Sequence, residues 1–282
     1  MVRIITDSAA DFEPRELEQL NITCIPICVM FGPEEYQENI NLTKNQFYEI
    51  LLSSEHNPKT AQPSPQCLME LFEQAHAAGD SAIYITISSG ISGTYQNAVM
   101  TRNLLGYDNC YVVDSLNATG GQRLIVEYAV RLRDEGKTPQ EIIAGIEDIR
   151  SRIVLFACMD TLEYLYKGGR ISQTVYKLGT LANIKPIITV DPDGGIGVPA
   201  KAMGMRKGID FQCKQVSAKP VDPAHPFYVM YTNQRSVARE LAKRLETVGI
   251  VTPEERIIQV GASIGSHVGP EACGLVYVAA KE

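Results

Sequence analysis

Short apolar runs alternate with stretches of helical periodicity from one end of this chain to the other, and that alternation restricts the fold more than any other feature. The runs at 2–6, 24–30, 82–87, 110–113 and 153–158 read as strands, as do 186–190, 196–200, 227–232, 256–260 and 275–279. Strands separated by helix-length segments pair in parallel, with the helices packed on the sheet faces. The helix starts carry their own signals. Thr43 with Gln46, and Thr138 with Pro139 and Glu141, match the reciprocal side-chain-to-backbone bonding that opens a helix. Ser64-Pro65 opens another helix, which Gly79 closes. Asp191-Pro-Asp-Gly-Gly195, set between two apolar runs, is a hairpin turn, and hairpins pair antiparallel. Because that signal occurs only in the second half, the sequence predicts an α/β protein of two domains. Residues 1–150 are expected to form an N-terminal α/β domain with a mainly parallel sheet. Residues 151–282 are expected to form a C-terminal domain with a mixed sheet.

Charge narrows the partners. With 26 Lys and Arg against 33 Asp and Glu, the net charge is −7, and no basic cluster is available to neutralise phosphates, so nucleic acid is disfavoured. No apolar stretch of about 18 residues occurs, so no transmembrane segment is expected. Asp7 falls where a secretory signal would still be apolar, which points to the cytoplasm. Seven cysteines without a framework read as free thiols. Cys24 and Cys28 lie in one strand-like run, where even spacing places both on one face. A metal there would need two more ligands, so both are expected to be small buried hydrophobes, and no metal is expected.

Nucleotide and hydrolase signatures fail on inspection. Gly136-Lys137-Thr138 resembles the end of a phosphate-binding loop, but the glycine required five residues earlier is Arg131. No G-x-G-x-x-G follows a strand, and Ser92, in Ser-Gly-Ile-Ser-Gly-Thr, misses the G-x-S-x-G elbow. What remains is the run Ile83 to Gln96, an apolar strand ending in small hydroxyl residues, followed by a helix from Ser92 or Gly93. A strand-to-helix turn of this kind lies at the carboxyl edge of an α/β sheet, where free N–H groups suit an anion. Hydroxyls with no base beside them hold an anion unchanged; the plain alternative is an ordinary helix cap. Three further segments carry comparable features. Lys59 to Pro65 is a loop of small polar residues entering a helix. Lys167 to Ser172 puts Arg170 on a glycine-hinged turn, and Ile264 to Pro270 sets His267 between nearby glycines.

Taken together, these segments resemble the DegV family of fatty-acid-binding proteins along the whole chain. The likeness rests on six short motifs in order: Ile4 to Asp11, the Thr-x-Gln-Pro-Ser loop from Thr60, Ser88 to Tyr95, Val112 to Ser115, Leu162 to Ser172 and His267 to Pro270. The resemblance implies two α/β domains with a lipid tunnel between or within them, and one bound long-chain fatty acid such as palmitate or oleate. It places the carboxylate contacts on Thr60, on Ser92 with the Gly93 amide, and on Arg170 and His267. It implies a carrier in lipid transport or fatty acid metabolism, with no cofactor and no catalytic residue; some members of the family present the bound acid to a fatty acid kinase. Three positions depart from the family pattern: Ala61 where serine is usual, Met203 where an arginine is common, and Glu271 where glycine is typical. The competing reading is a serine-dependent acyl hydrolase or acyltransferase using Ser92 with His267. A regulatory module that senses its ligand is the third.

Overall fold

The computed structural model describes residues 1–178 and 183–281. The strands of the first half are β1 (Val2–Asp7), β2 (Ile22–Ile25), β3 (Cys28–Phe31), β4 (Glu34–Gln37), β5 (Lys59–Ala61), β6 (Ser81–Thr86) and β7 (Cys110–Asp114). Those of the second half are β8 (Ile153–Met159), β9 (Ile184–Val190), β10 (Ile196–Met203), β11 (Phe227–Tyr231), β12 (Ile257–Gln259) and β13 (Ala272–Val278). The helices are α1 (Pro14–Gln19), α2 (Lys44–Ser53), α3 (Pro65–Ala77), α4 (Thr94–Leu105), α5 (Thr119–Asp134) and α6 (Pro139–Arg150), then α7 (Glu163–Lys167), α8 (Gln173–Leu178), α9 (Met205–Ala218), α10 (Arg235–Leu245) and α11 (Ala262–Val268).

The first half is built on a parallel sheet of order β2-β1-β6-β7. Ile83, Tyr84 and Ile85 of β6 are all buried, as a central strand covered on both faces requires. The apolar stripes of α5 and α6 cover one face through Ile125, Ile142 and Ile146. Leu68 and Phe72 of α3, with Ala98 of α4, cover the other. The second half is a mixed sheet of order β10-β9-β8-β13-β11-β12, in which only β11 and β12 run parallel. The fold is therefore two α/β domains, one mainly parallel and one mixed. The mixed sheet packs one face on α9 and α10 and turns the other toward the first half.

Two details of the first half differ from the sequence reading. The run 24–30 is not one strand: it splits at Pro26 into β2 of the parallel sheet and β3 of a small antiparallel sheet of order β4-β3-β5. Proline lacks the N–H a ladder needs, so pairing stops there. Cys24 and Cys28 consequently belong to different sheets and share no face, and burial pushes both thiols up. The β3–β4 connection is also a first-half hairpin, turned through Gly32 at φ +60°.

Among the described residues, no helix is long and apolar enough to cross a membrane.

Candidate functional site

A cavity of about 450 Å³ lies between the inner face of the mixed sheet and the carboxyl edge of the parallel sheet. Leu155 and Ala157 sit two residues apart on β8 and so face the same way, joined by Ile188 and Val190 of β9 and Met230 of β11. Ile87, Ile91 and Ala118 close the opposite wall, from the segments that follow β6 and β7. Among the described residues, no Asp, Glu or Lys lines the cavity, and Arg170 is the single arginine that does.

All five residues singled out from sequence, Thr60, Ser92, Gly93, Arg170 and His267, line this one cavity, from four separate segments. The Thr60 hydroxyl, on β5, lies 2.9 Å from Nε2 of His267 on α11. Arg170 follows α7 and donates from Nε to the Ile91 carbonyl at 3.0 Å, tying the second domain to the loop that carries Ser92. The Ser92 and Thr94 hydroxyls are 2.9 Å apart, and Ser92 Oγ also accepts the Thr94 N–H at 3.3 Å. The helix starts at Thr94, with Gly93 at its N-cap rather than inside the first turn. Glycine fits at 93 because an added Cβ would stand 3.0 Å from Gln62 Oε1.

Electrostatics follow from burial. His267 is pushed down to about 4, first by desolvation and then by the Arg170 charge, so its imidazole is neutral near pH 7. Among the described residues its Nδ1 has no hydrogen-bond partner, and it packs against Gly168, where an added Cβ would lie 2.2 Å away. A bare lone pair is less costly to bury than an unpaired N–H, which puts the proton on Nε2, directed at Thr60 Oγ1. The Thr60 hydroxyl hydrogen is then free to point into the cavity. In the unfolded chain the ring protonates near 6.5. Its contribution to stability is thus whole above that pH and declines as pH falls from about 6.5 toward 4. Buried Asp7 and Asp11, raised to about 6 and about 7, act in the opposite direction, so the ring is isolated by comparison with a variant. His267→Asn is expected to lose Tm less steeply than wild type between about pH 7 and pH 4.5. Parallel melting profiles would contradict this assignment.

Sequence reasoning missed what braces the carboxyl-edge loop. The buried Ser88 hydroxyl donates to the Gly194 carbonyl at 2.8 Å, so the tip of the β9–β10 hairpin docks on the turn leading to Ser92. Gly90 permits this approach, since an added Cβ would fall 2.5 Å from the Gly194 backbone. From below, one Asp114 oxygen accepts the Ser89 and Leu116 N–H groups at 3.1 and 2.9 Å. The motif residues Ser88 and Asp114 were visible in sequence, but nothing local links them to residue 194. Gln62, Thr94 and Thr119 were likewise not singled out, although they line the cavity.

The cavity is thus walled largely by apolar side chains, with hydroxyls, a guanidinium and a neutral imidazole among its lining. The chain belongs to the DegV family: the family profile described as "Uncharacterised protein, DegV family" matches residues 1–280. A DegV domain-containing protein of Caldanaerobacter subterraneus subsp. tengcongensis is 31% identical over 277 residues, covering 98% of each chain. Among solved structures, the fatty acid binding DegV family protein of Streptococcus agalactiae superposes with a TM-score of 0.88 at 26% identity, covering 100% of this chain and 99% of that one. DegV of Bacillus subtilis, described as a fatty acid binding protein, superposes with a TM-score of 0.83 at 28% identity, covering 99% of both.

Proposed function

We propose that this chain binds one long-chain fatty acid, such as palmitate or oleate, and acts as a cytoplasmic carrier in lipid transport or fatty acid metabolism. The observation that carries the reading is a cavity walled largely by apolar side chains, with no acidic residue among the described lining, in which Thr60, Ser92, Gly93, Arg170 and His267 meet. The domains join near residue 150; 1–150 supplies the carboxylate-binding loops and 151–282 encloses most of the acyl chain. Burying roughly 14 methylenes at about 0.8 kcal/mol each contributes on the order of 11 kcal/mol before ordering costs. The tail therefore sets affinity, and the hydroxyls set orientation. Delipidated protein titrated with oleate is expected to take up one equivalent; failure to take up either oleate or palmitate would overturn the reading.

Carriage rather than catalysis is favoured by what the side chains touch. A serine nucleophile needs a base within hydrogen-bond reach and an acid that orients the base. Here Ser92 is bonded to Thr94, His267 to Thr60, and Nδ1 of His267 to no carboxylate among the described residues. The hydroxyls hold an anion and offer it no route to turnover, and no cofactor is needed.

Presentation of the acid to a fatty acid kinase belongs to the same proposal. Met203 ends β10 and is 68% exposed, so an arginine there would reach a partner, whereas the thioether offers no charge. With a kinase from a DegV-containing bacterium, Met203→Arg is expected to raise the rate of acyl-phosphate formation. An unchanged or lower rate would remove this position from the partner surface.

A further inference from the structure

Helix α11 belongs to the second domain by connectivity, lying between β12 and β13, yet first-domain residues grip it at both ends. Asp11 Oδ1 accepts the Gly261 N–H at 2.8 Å. Glu38 accepts the Ala262 N–H through Oε1 and the Ser263 N–H through Oε2, the latter at 3.1 Å. Three consecutive backbone donors thus end on two carboxylates, each about 1% exposed. The Tyr48 hydroxyl holds the preceding turn by donating to the Val260 carbonyl at 2.9 Å. Gly265 packs so closely on α2 that an added Cβ would meet the Phe47 ring at 2.6 Å. At the far end stands the Thr60–His267 contact. Between these anchors Ser263, Ile264, His267 and Val268 form part of the cavity wall, while neither Asp11 nor Glu38 lines it.

The grip is built on strained backbone. Asp11 sits at φ +59° and its partner Thr119, whose hydroxyl meets Asp11 Oδ2, at φ +49°. Non-glycine residues hold such angles only where surrounding contacts impose them. Charge around the pair is unbalanced. Lys44 Nζ reaches the Asp11 carbonyl at 2.8 Å but is shared with Glu13 at 2.8 Å. Arg123 touches the same carbonyl at 3.4 Å and is committed to Glu16 and Glu127. Among the described residues, Tyr48 faces both carboxylates and Cys24 faces Glu38, with Tyr231 beside Tyr48 and Lys44, and Asp7 beside Cys24.

We propose that Asp11 and Glu38 are positioning residues that clasp α11 across the domain interface, share one proton, and so set how fast the ligand leaves the cavity. This rests on the fatty-acid reading. Both Glu38 oxygens accept backbone N–H groups and Glu38 also faces the Ser8 and Ser263 hydroxyls, while Asp11 Oδ2 meets the Thr119 hydroxyl, which can reverse to accept a proton held there; the shared proton is assigned to Asp11 Oδ2 on that ground. Burial pushes Asp11 up to about 7, with the Glu38 charge adding to the rise against Lys44, and raises Glu38 as well. An acid raised in the closed state favours closure while it holds its proton, and that preference is lost as pH climbs through the raised value. The clasp is thus tight below neutrality and looser above it.

The test is release of radiolabelled oleate from the full chain into excess phosphatidylcholine vesicles. Between about pH 6 and pH 9 the wild-type rate is expected to rise about ten-fold. Asp11→Asn, which mimics the protonated acid, is expected to release slowly with a flat profile. Glu38→Gln, which turns an amide donor on the α11 N–H groups, is expected to release about ten-fold faster at every pH. A flat wild-type profile, or an Asp11→Asn profile as steep as wild type, would overturn the clasp. Amide hydrogen exchange on delipidated protein reads the same device without ligand. Exchange at Gly261 to Ser263 is expected to accelerate with pH more steeply than exchange in α6, and equal slopes would overturn the clasp even if a variant fails to fold. Oleate never taken up, with the exchange difference present, would sink the ligand reading and leave the clasp standing.

Discussion

Ala157→Phe is expected to remove fatty acid binding while leaving the fold intact. Ala157 shares its face of β8 with Leu155, and its Cβ lies where an added Gly274 Cβ would stand 3.1 Å away, beside the open cavity. Overpacking a filled core costs about 1–3 kcal/mol, but here the ring enters empty apolar space and gains contacts. The ligand bears the cost. Displacing even four methylenes forfeits about 3 kcal/mol, roughly 200-fold in affinity. Titration with oleate measures the loss, and melting checks that Tm is not lowered. Unchanged affinity in a folded variant would mean that the tail lies elsewhere.

The second large effect is at the mouth. A hydroxyl donating to a charged carboxylate is worth about 1.5–3 kcal/mol, so Ser92→Ala and Thr60→Ala are each expected to weaken oleate about 10- to 150-fold. Their stabilities should differ. Ser92→Ala removes bonds to the hydroxyl and N–H of Thr94 within one short turn, whereas Thr60→Ala leaves Nε2 of the half-buried His267 without its partner at a cost of about 1–3 kcal/mol. The double variant should lose less than the sum if both hydroxyls serve one carboxylate. Were Ser92 a nucleophile, Ser92→Ala would instead abolish turnover of an acyl ester and leave acid binding nearly intact. Serine-dependent hydrolysis by the wild type, well above background, would reverse the carrier assignment.

Much of this architecture was legible because its signals are local. The capping patterns at Thr43 and Thr138 form as expected, with the side chains bonded to the Gln46 and Glu141 N–H groups. The turn at Asp191 to Gly195 closes a hairpin, and β6 runs into the hydroxyl-rich turn at the sheet's carboxyl edge. The small antiparallel sheet was not legible, because β4 is Glu-Glu-Tyr-Gln, a largely exposed strand with no apolar run. α11 was hidden by its two flanking glycines and by Ser263, Gly265 and Ser266, which read as loop; contacts from the first domain make it a helix. The Ser88–Gly194 brace and the Asp11–Gly261 arm of the clasp join residues more than 100 positions apart. No periodicity encodes such pairings. Four of the six family motifs, those holding Thr60, Ser92 with Gly93, Arg170 and His267, did point to segments that the fold brings to one cavity, whereas Ile4 to Asp11 and Val112 to Ser115 lie mostly in β1 and β7 and do not line it.

The central claim is that this cavity is made for one fatty acid, and the most direct measurement is the lipid that the protein itself retains. Protein purified from a bacterial host, extracted under denaturing conditions and analysed by mass spectrometry, is expected to yield about one long-chain fatty acid per chain with none added. Ala157→Phe purified alongside should yield almost none. Nucleotide, another metabolite or no organic ligand in the extract, together with no uptake of added palmitate or oleate, would contradict the account.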